Sequence, residues 1–294
     1  MLTVAIITCN RKEQFAEAVI SCEKHVKNID WELIIVDNHS TDGTQEWTEN
    51  HFKNNPEILK YLYMDKNCGV AGARNIAFSN AKGDIVYFLD DDAIIEGEED
   101  CLDRAYLYMK KKADAALMGT YIYDHKINGL LNSIPQKNKE LDNGTLMMGF
   151  IGASHFINKE LLGDIVLYPE FIFYGGEEVY LSITVYDKNY NCYFYNDLKV
   201  QHYPSTKTRL SASEMKMSLY CNAYKVRTAL FPKEYHPLVK LFYYVNVFRG
   251  FKFNRKDIVE CNNRIKNFDE QCNKISHNTI KKLVGLFGIV KVFK

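Results

Sequence analysis

Short apolar segments alternate with amphipathic ones through the first third of the chain, and this alternation constrains the fold more than any other feature. The apolar segments have the length of buried β-strands and occupy residues 2–8, 32–37, 58–64 and 84–89. The first amphipathic segment places its apolar side chains on one helical face. These side chains are Phe15, Ala18, Val19, Cys22 and Val26. Strands that alternate with helices indicate a parallel sheet covered on both faces, so we predict an α/β fold.

The pattern changes beyond residue 113, where strands are no longer followed regularly by helices. We predict two strands, a helix and a further strand, at residues 115–124, 146–157, 176–189 and 191–203. From about Ser211 the sequence is helical to its end. We therefore divide the chain into an α/β domain over residues 1–207 and a helical C-terminal extension over residues 208–294.

The bulk composition excludes several classes of protein. Thirty-seven basic residues balance thirty-seven acidic ones, so no global field attracts nucleic acid, and we expect no nucleic-acid partner. The eight cysteines are scattered without a C-x-x-C pair, which indicates reduced thiols rather than a zinc site. The first residues lack the leader of a secretory signal, and no apolar run reaches roughly 18 residues. We expect a cytoplasmic protein whose membrane contact, if there is any, is peripheral.

Carboxylates stand at the ends of two of the apolar strands. Asp37 ends the second strand, and Asp90, Asp91 and Asp92 follow the fourth. In open α/β sheets ligands bind at this edge, so these carboxylates converge where a ligand would bind. Three adjacent carboxylates repel one another and are costly to bury without a partner. Two interpretations stay open from these residues alone: a bound metal cation, or a solvated acidic turn.

Five separated motifs occur in an order and at spacings that resemble the family 2 glycosyltransferases, inverting enzymes of the GT-A fold. The motifs are "IITCNR", "VDNHSTDGT", "NCGVAGARNIA", "FLDDDA" and "GGEEVYL". The resemblance covers roughly residues 3–205 and implies a GT-A fold, with a mixed, mostly parallel sheet flanked by helices. The stretch "FIFYGGEEVYLSITV" is further similar to rhamnosyltransferase-like members. The helical extension lies outside the resemblance.

The resemblance implies a nucleotide-sugar site at the ends of the first two strands. Residues that match Thr8, Asn10 and Arg11 line the base and phosphate region in the family. The residue that matches Asp37 accepts a hydrogen bond from the pyrimidine, with Asn38 beside it. Because Asn, Ser, Asp and Gly also favour turns, a turn without a ligand is the alternative for this stretch.

A second part of the same site lies in "NCGVAGARNIA". We assign Asn67, Gly69, Arg74 and Asn75 to nucleotide-sugar binding. Gly69 allows close backbone approach, and the Arg74 guanidinium suits a phosphate or a carboxylate on the rim. The alternatives are helix packing for the glycine and a structural salt bridge for Arg74.

The three aspartates match the D-x-D element of the family. The match makes Asp92 the direct metal ligand, and it places Asp90 on the ribose or on the waters of the metal, with Asp91 in the donor site. His202 matches a position where many members place a histidine that completes the metal site. Oxygen-rich ligation favours Mg²⁺ or Mn²⁺ over zinc, and an imidazole tilts the choice toward Mn²⁺. The alternative for His202 is a strand-end histidine satisfied by the backbone.

The acidic pair Glu177 and Glu178 begins a predicted helix. Inversion by single displacement needs a base that removes the proton of the attacking hydroxyl, and the family takes it from such a pair, often Glu-Asp. We predict Glu178 as the base and Glu177 as the residue that holds the acceptor or the loop. Favourable electrostatics at a helix N-terminus are the alternative explanation of the pair.

These matches imply a metal-dependent transfer of a sugar from a UDP- or dTDP-sugar to a hydroxyl of a glycan or lipid-linked glycan, in the assembly of bacterial surface polysaccharide. A nucleotidyltransferase that makes the nucleotide sugar is one alternative, although a glycine-rich triphosphate loop is missing after the first strand. A binding module that has lost turnover is the other.

The last sixteen residues, "TIKKLVGLFGIVKVFK", alternate lysines with large apolar side chains. This pattern is typical of an amphipathic helix at a membrane interface, which would give the protein a peripheral position on the inner face of the cell membrane. Packing of the same apolar side chains on the α/β domain, or in a subunit interface, is the other interpretation.

Overall fold

A computed structural model describes residues 1–131, 142–163, 165–169, 171–172, 175–204, 211–269 and 272–294. Its strands are β1 (Leu2–Thr8), β2 (Trp31–Asp37), β3 (Leu59–Tyr63), β4 (Ile85–Asp90), β5 (Ala93–Glu96), β6 (Ala115–Asp124), β7 (Gly129–Leu130), β8 (Ser154–Asn158) and β9 (Asn191–His202). Its α-helices are α1 (Lys12–His25), α2 (Thr44–His51), α3 (Gly69–Asn80), α4 (Cys101–Lys110), α5 (Lys159–Leu162), α6 (Glu177–Asp187), α7 (Ala212–Leu230), α8 (His236–Gly250), α9 (Arg255–Ile265), α10 (His277–Phe287) and α11 (Ile289–Phe293).

The strands form one mixed sheet in the order β3-β2-β1-β4-β8-β6-β9-β5, with β7 paired to β6. Strands β3, β2, β1 and β4 run parallel to one another. Strand β8 runs antiparallel to both β4 and β6, β9 runs parallel to β6, and β5 runs antiparallel to β9. The predicted α/β class is confirmed, and the parallel half is the part that the strand and helix alternation indicates.

Side chains of the central strands alternate between two hydrophobic cores, one on each face of the sheet. Val4 and Ile6 of β1 pack in one core with Phe15 of α1. Ala5 packs in the other core with Phe78 of α3. Because helices cover both faces, strands β1 and β4 are mostly apolar rather than alternating between apolar and polar residues.

The register of the parallel strands brings their carboxyl ends to one edge. Thr8 lies opposite Asp37, and Ile7 lies opposite Asp90. The strand ends that carry the predicted site residues therefore meet in space, as the topology of an open α/β sheet requires.

One predicted strand is shorter than expected, and two strands, β5 and β7, were not expected. The segment predicted as a strand over residues 146–157 joins the sheet as β8 only at Ser154. Before that point it makes an isolated bridge from Leu146 to Tyr193 of β9. Two of its carbonyls bond side chains: Met147 accepts from the Tyr186 hydroxyl, and Gly152 accepts from Arg74. Strand β5 follows the aspartates directly, where the sequence indicates only a turn.

The C-terminal helices pack on the α/β part. Helix α7 begins with a capping box between Ser211 and Glu214, and its Asn222 side chain donates to the carbonyl of Gly175 at 2.7 Å. Leu283 of α10 is fully buried, and it lies in the same hydrophobic core as Ala5 of β1 and Phe78 of α3. The predicted domain boundary at residue 207 lies outside the described residues. Among the described residues, no helix has the length and apolar character needed to span a bilayer.

This packing predicts that the C-terminal helices unfold together with the sheet. Leu283→Ala should lower the free energy of unfolding by about 2–5 kcal/mol, because it opens a cavity in the shared core. Urea denaturation followed by circular dichroism measures the change. Leu286→Ala on the same helix is the matched control, since Leu286 is exposed, and its effect should stay within about 0.5 kcal/mol. Equal effects of the two substitutions would show that α10 does not belong to the core.

Candidate active site

The pairing of three strands fixes the position of His202. His202 ends β9, where it lies opposite Ala93 of β5 on one side and opposite Asp124 of β6 on the other. The backbone amide of Tyr203 donates to the carbonyl of Asp92 at 2.8 Å. The sheet therefore holds His202 beside Asp92, although the two residues are far apart in the sequence.

Asp90, Asp92 and His202 form a cluster whose potential ligand atoms lie within 4.8 Å of one another. His202 Nε2 is 3.2 Å from Asp92 Oδ1, and His202 Nδ1 is 2.8 Å from Asp124 Oδ2. An Nδ1–H that donates to Asp124 leaves the Nε2 lone pair directed into the cluster, on the side of Asp92. Two carboxylates and such an imidazole are a donor set that fits a divalent cation.

The electrostatics of this cluster favour an added positive charge. Burial alone lowers the pKa of His202, but the carboxylates of Asp92, Asp90 and Asp124 outweigh burial and raise it overall. A proton on the imidazole or a metal ion against its neutral form would each supply positive charge at this position.

Arg11 supplies part of the missing positive charge from the start of α1. One of its terminal nitrogens lies 2.7 Å from Asp91 Oδ1 and 3.4 Å from Asp92 Oδ2. Burial and the negative charge of Asp92 nevertheless raise the pKa of Asp91 to about 7, and the positive charge of Arg11 only partly offsets these two effects. Arg11 thus orders two carboxylates without neutralising the whole cluster.

Arg74 connects the aspartates to the acidic pair on α6. Its guanidinium is buried and lies 2.9 Å from Asp90 Oδ1 and 3.7 Å from Glu177 Oε1. It also donates to the carbonyl of Gly152 at 2.9 Å. One buried cation therefore spans the two groups of carboxylates that the sequence analysis assigned to separate roles.

Glu177 and Glu178 occupy the first turn of α6. Gly175 and Gly176 precede them with φ angles of 78° and 97°, a left-handed conformation that only glycine adopts readily, so the "GG" of the motif is needed for the turn. Burial raises the pKa of Glu177, against the lowering effect of Arg74. Burial and the negative charge of Glu177 raise the pKa of Glu178 to about 8. Glu178 therefore has the proton affinity that suits a general base near neutral pH.

Gly152, just before β8, and His155, within β8, support this region. A Cβ atom on Gly152 would lie 2.8 Å both from a terminal nitrogen of Arg74 and from Glu178 Oε1. The Gly152 carbonyl also lies 3.0 Å from Nδ1 of the buried His155. Burial lowers the pKa of His155 well below its usual range, so the ring is neutral and its Nδ1–H can donate to Gly152. The glycine allows the arginine and the glutamate to approach the backbone closely.

The predicted nucleotide pocket is a network of polar contacts at the ends of β1 and β2. Asp37 is fully buried, and its oxygens accept from the Tyr61 hydroxyl and, at 2.7 Å, from the Ser40 amide. Asn38 donates to Asn67 Oδ1 at 2.9 Å and so ties the loop before α3 to the end of β2. This network holds the strand-end loops in place around Asp37.

The remaining predicted residues differ in their contacts. Thr8 is buried at the end of β1, and Asn10 accepts from the Thr41 amide at 2.8 Å. Gly69 begins α3, and its amide donates to Asn67. The Asn75 amide is used at both ends by the backbone of Tyr168, with distances of 2.8 and 3.0 Å. Asn75 therefore holds the Tyr168 segment, and its side-chain hydrogen bonds in the described part of the chain do not reach the carboxylate cluster.

Sequence reasoning missed Asp124, Gly152 and His155. Asp124 is a carboxylate at a strand end, the same signal that identified Asp37 and Asp90, and this rule could have found it. Gly152 and His155 carry no comparable signal, because their roles depend on the approach of α3 and α6 from elsewhere in the chain.

Comparison with known proteins agrees with this geometry. The model of glycosyl transferase family 2 matches residues 3–165, which is more than half of the chain, so the chain belongs to that family. It is 29% identical over 138 residues to the poly(ribitol-phosphate) β-N-acetylglucosaminyltransferase TarP of Staphylococcus aureus, a match that covers 46% of this chain and 41% of TarP.

Two solved structures show the same fold. S. aureus TarS 1–349 in complex with UDP-GlcNAc superposes with a TM-score of 0.65 and 16% identity, over 91% of this chain and 81% of TarS 1–349. The mannosyltransferase PcManGT from Pyrobaculum calidifontis, in complex with GDP-Man and Mn²⁺, superposes with a TM-score of 0.60 and 13% identity, over 99% of this chain and 84% of the PcManGT chain. The predicted GT-A fold is confirmed.

The contact between Asp124 and His202 predicts an effect on metal binding. Asp124→Asn should weaken Mn²⁺ binding by about 10–100-fold, since a neutral amide holds the Nδ1–H tautomer less firmly than a carboxylate. Calorimetric titration with MnCl₂ measures the affinity without any need for substrate. Glu96→Gln is the matched control on the neighbouring strand, because Glu96 is exposed and contacts Gln201 instead. An unchanged affinity in Asp124→Asn would remove the role of Asp124.

The close approach at Gly152 predicts a catalytic defect in a folded protein. Gly152→Ala should lower turnover by about 100-fold, because its methyl group displaces Arg74 or Glu178 by a fraction of an ångström or more. Release of the nucleoside diphosphate measures turnover, and the melting temperature reports folding. Gly149→Ala is the matched control, since its added methyl group meets nothing closer than Ser182 Oγ at 3.9 Å. Full activity in Gly152→Ala would contradict the steric argument.

Proposed function

We propose that this protein is a metal-dependent inverting glycosyltransferase that moves a sugar from a UDP- or dTDP-sugar to a hydroxyl of a glycan or lipid-linked glycan. The observation that carries the proposal is the arrangement on both sides of Arg74. The Asp90, Asp92 and His202 cluster lies on one side, and the acidic pair Glu177 and Glu178 lies on the other. A donor site and a base site are therefore adjacent on one edge of the sheet.

The nucleotide would occupy the network at the ends of β1 and β2. Asp37 retains lone pairs beyond its contacts with Tyr61 and Ser40, and a buried carboxylate is a strong acceptor for the ring N–H of uracil or thymine. Thr8, Asn10 and Arg11 lie along the same edge and would line the base and diphosphate. The complex of TarS with UDP-GlcNAc supports a uridine donor.

A divalent cation would be held by Asp92, His202 and Asp90, with Asp91 kept in place by Arg11. Such an ion supplies positive charge that stabilises the departing nucleoside diphosphate. The imidazole ligand favours Mn²⁺, and Mg²⁺ is the alternative, since the remaining ligands are oxygens. The presence of Mn²⁺ in the PcManGT complex supports this choice.

Glu178 would act as the general base. Its raised pKa, to about 8, gives it affinity for the proton of an attacking hydroxyl, and Arg74 would hold Glu177 in position next to it. The hydroxyl oxygen would attack the anomeric carbon on the face opposite the nucleoside diphosphate, so that the new C–O bond forms as the bond to the diphosphate breaks, and the configuration inverts. Asn75 would contribute by holding the Tyr168 segment, and Gly69 and Asn67 by shaping the loop before α3.

The acceptor and the setting follow from the relatives. TarP is named for transfer to poly(ribitol phosphate), and this name supports our assignment of the chain to bacterial surface polysaccharide assembly. We propose that this assembly takes place on the cytoplasmic side of the membrane. Residues 1–207 would form the catalytic domain and residues 208–294 a helical extension that supports α6. Nothing in the site selects a particular sugar, because sugar selectivity depends on pocket shape.

The assignment of the base predicts a loss of turnover with retained donor binding. Glu178→Gln should lower kcat by about 10²–10⁴-fold, since the amide cannot accept the proton, while UDP binding stays within error. The wild-type kcat/KM should rise with pH through about pH 8, because only the ionised form of Glu178 works as a base. Release of UDP or dTDP from a panel of nucleotide sugars measures both.

Two results decide this prediction. Glu160→Gln is the control, because Glu160 is exposed and lies outside the site, and it should keep full activity. Transfer that is unchanged in Glu178→Gln would exclude Glu178 as the base. Proton NMR of the first product gives the anomeric configuration, and retention of the donor configuration would contradict the inverting mechanism.

A further inference from the structure

A group of large apolar side chains on α8 and on the turn after it is exposed or half-buried. It consists of Leu241, Tyr244, Val245, Phe248 and Phe253, and we call it the α8 face. Phe253 is 72% exposed and Leu241 57% exposed. The opposite side of α8 already packs in the protein, because Val239, Tyr243 and Val247 are buried against it. The α8 face is therefore not needed to hold the helix in place.

The α8 face is one continuous surface. Residues 241, 244, 245 and 248 have the spacing of one helical face. The ring of Phe248 stacks on Tyr244 at 5.7 Å between centroids, and on Phe253 at 5.7 Å. Phe253 thus extends the stripe of α8 past the end of the helix.

The backbone that presents Phe253 is unusual. Lys252 and Phe253 have φ angles of 49° and 61°, in the left-handed region that residues with side chains seldom adopt. Two adjacent non-glycine residues there cost conformational free energy, and the turn uses this conformation to point a phenylalanine toward solvent. Such a turn is unfavourable for an isolated protein and becomes useful when the ring meets an apolar medium.

The charge around the α8 face is positive, whereas the charge of the whole chain is balanced. Five basic residues and no acidic residue lie between Tyr235 and Lys256. They are Lys240, Arg249, Lys252, Arg255 and Lys256, and all five are exposed. The nearest acidic groups in sequence are the exposed Glu234, directly before this stretch, and Asp257 and Glu260 after it. Asp257 and Glu260 line a groove together with Arg255 and Lys256, and Glu260 accepts a hydrogen bond from Arg264. Lys240, Arg249 and Lys252 are the cations beside the apolar stripe.

We propose that the α8 face docks on the surface of a bilayer that contains anionic lipids. Its aromatic and aliphatic side chains would enter the boundary between headgroups and acyl chains, while the surrounding cations meet the headgroups. The length of the stripe suits a surface contact, in agreement with the lack of a helix long enough to span a bilayer in the described part of the chain. This inference depends only on the C-terminal helices and goes beyond the proposed transfer reaction.

The structure points to this surface rather than to the terminal amphipathic segment. Ile280, Leu283, Val292 and Phe293 of that segment are buried in the main core, so part of its apolar side is used in packing, and its exposed apolar side chains, Leu286, Ile289 and Val290, are all aliphatic. The aromatic stripe with its cations lies on α8 instead. Deleting the terminal segment would disturb the core, and substitutions on the α8 face test the docking without that disturbance.

Vesicle co-sedimentation of the full chain tests the proposal. We expect binding to vesicles of phosphatidylcholine mixed with phosphatidylglycerol, and little binding to phosphatidylcholine alone. Leu241→Ser/Phe253→Ser should weaken binding by about tenfold or more, since two large apolar side chains no longer enter the interface. Arg249→Glu/Lys252→Glu should weaken it comparably at low salt, and the difference should shrink as salt screens the headgroups.

Matched controls separate docking from general effects. Ile20→Ser/Leu107→Ser removes two exposed apolar side chains from α1 and α4, and its vesicle binding and melting temperature should equal those of the wild type. Donor binding should also be unchanged in both α8 variants, so failure of docking is distinguishable from failure of the transfer function. The proposal is overturned if the wild type binds no vesicles, or if the α8 variants bind as well as it does. It is also overturned if light scattering shows that the wild type is a dimer and the α8 variants are monomers, while the wild type does not bind vesicles.

Discussion

An excess of carboxylates over cations at one edge of the sheet is the constraint on which the site depends. Two guanidinium groups, those of Arg11 and Arg74, must serve a larger number of acidic side chains. The acidic side chains are Asp90, Asp91, Asp92, Asp124, Glu177 and Glu178. Each arginine is therefore shared, and the unmet need for positive charge is expressed in the raised pKa values of Asp91 and Glu178. A divalent cation between Asp90, Asp92 and His202 would relieve the repulsion at its centre.

Several elements of the fold hold these carboxylates close together, although the repulsion between them is unfavourable. The pairing of β9 with β5 and β6 fixes His202 between Asp92 and Asp124. On the other side of Arg74, helix α7 supports the turn that starts α6. Asn222 donates a hydrogen bond to the Gly175 carbonyl, and a Cβ atom on Gly176 would lie 3.1 Å from the Cβ atom of Asn222. The C-terminal helices thus contribute to the geometry of the acidic pair as well as to stability.

Much of this site could be predicted from sequence where the signal is local. Asp37 and Asp90 to Asp92 stand at the ends of apolar strands, and the parallel topology brings those ends together. The roles of Gly152 and His155 could not be predicted, since they depend on contacts between distant segments. The terminal helix shows the same limit: its amphipathic pattern fits a membrane surface or a protein core equally well, and only the packing of Leu283 and Phe293 distinguishes them.

The most direct test of the central claim is calorimetry of UDP binding with and without Mn²⁺, on the wild type and on Asp92→Ala. If the carboxylate cluster is a cation-dependent donor site, UDP should bind the wild type only when Mn²⁺ is present, and Asp92→Ala should bind it in neither condition. Equal UDP affinity without the metal, or in Asp92→Ala with it, would contradict the account.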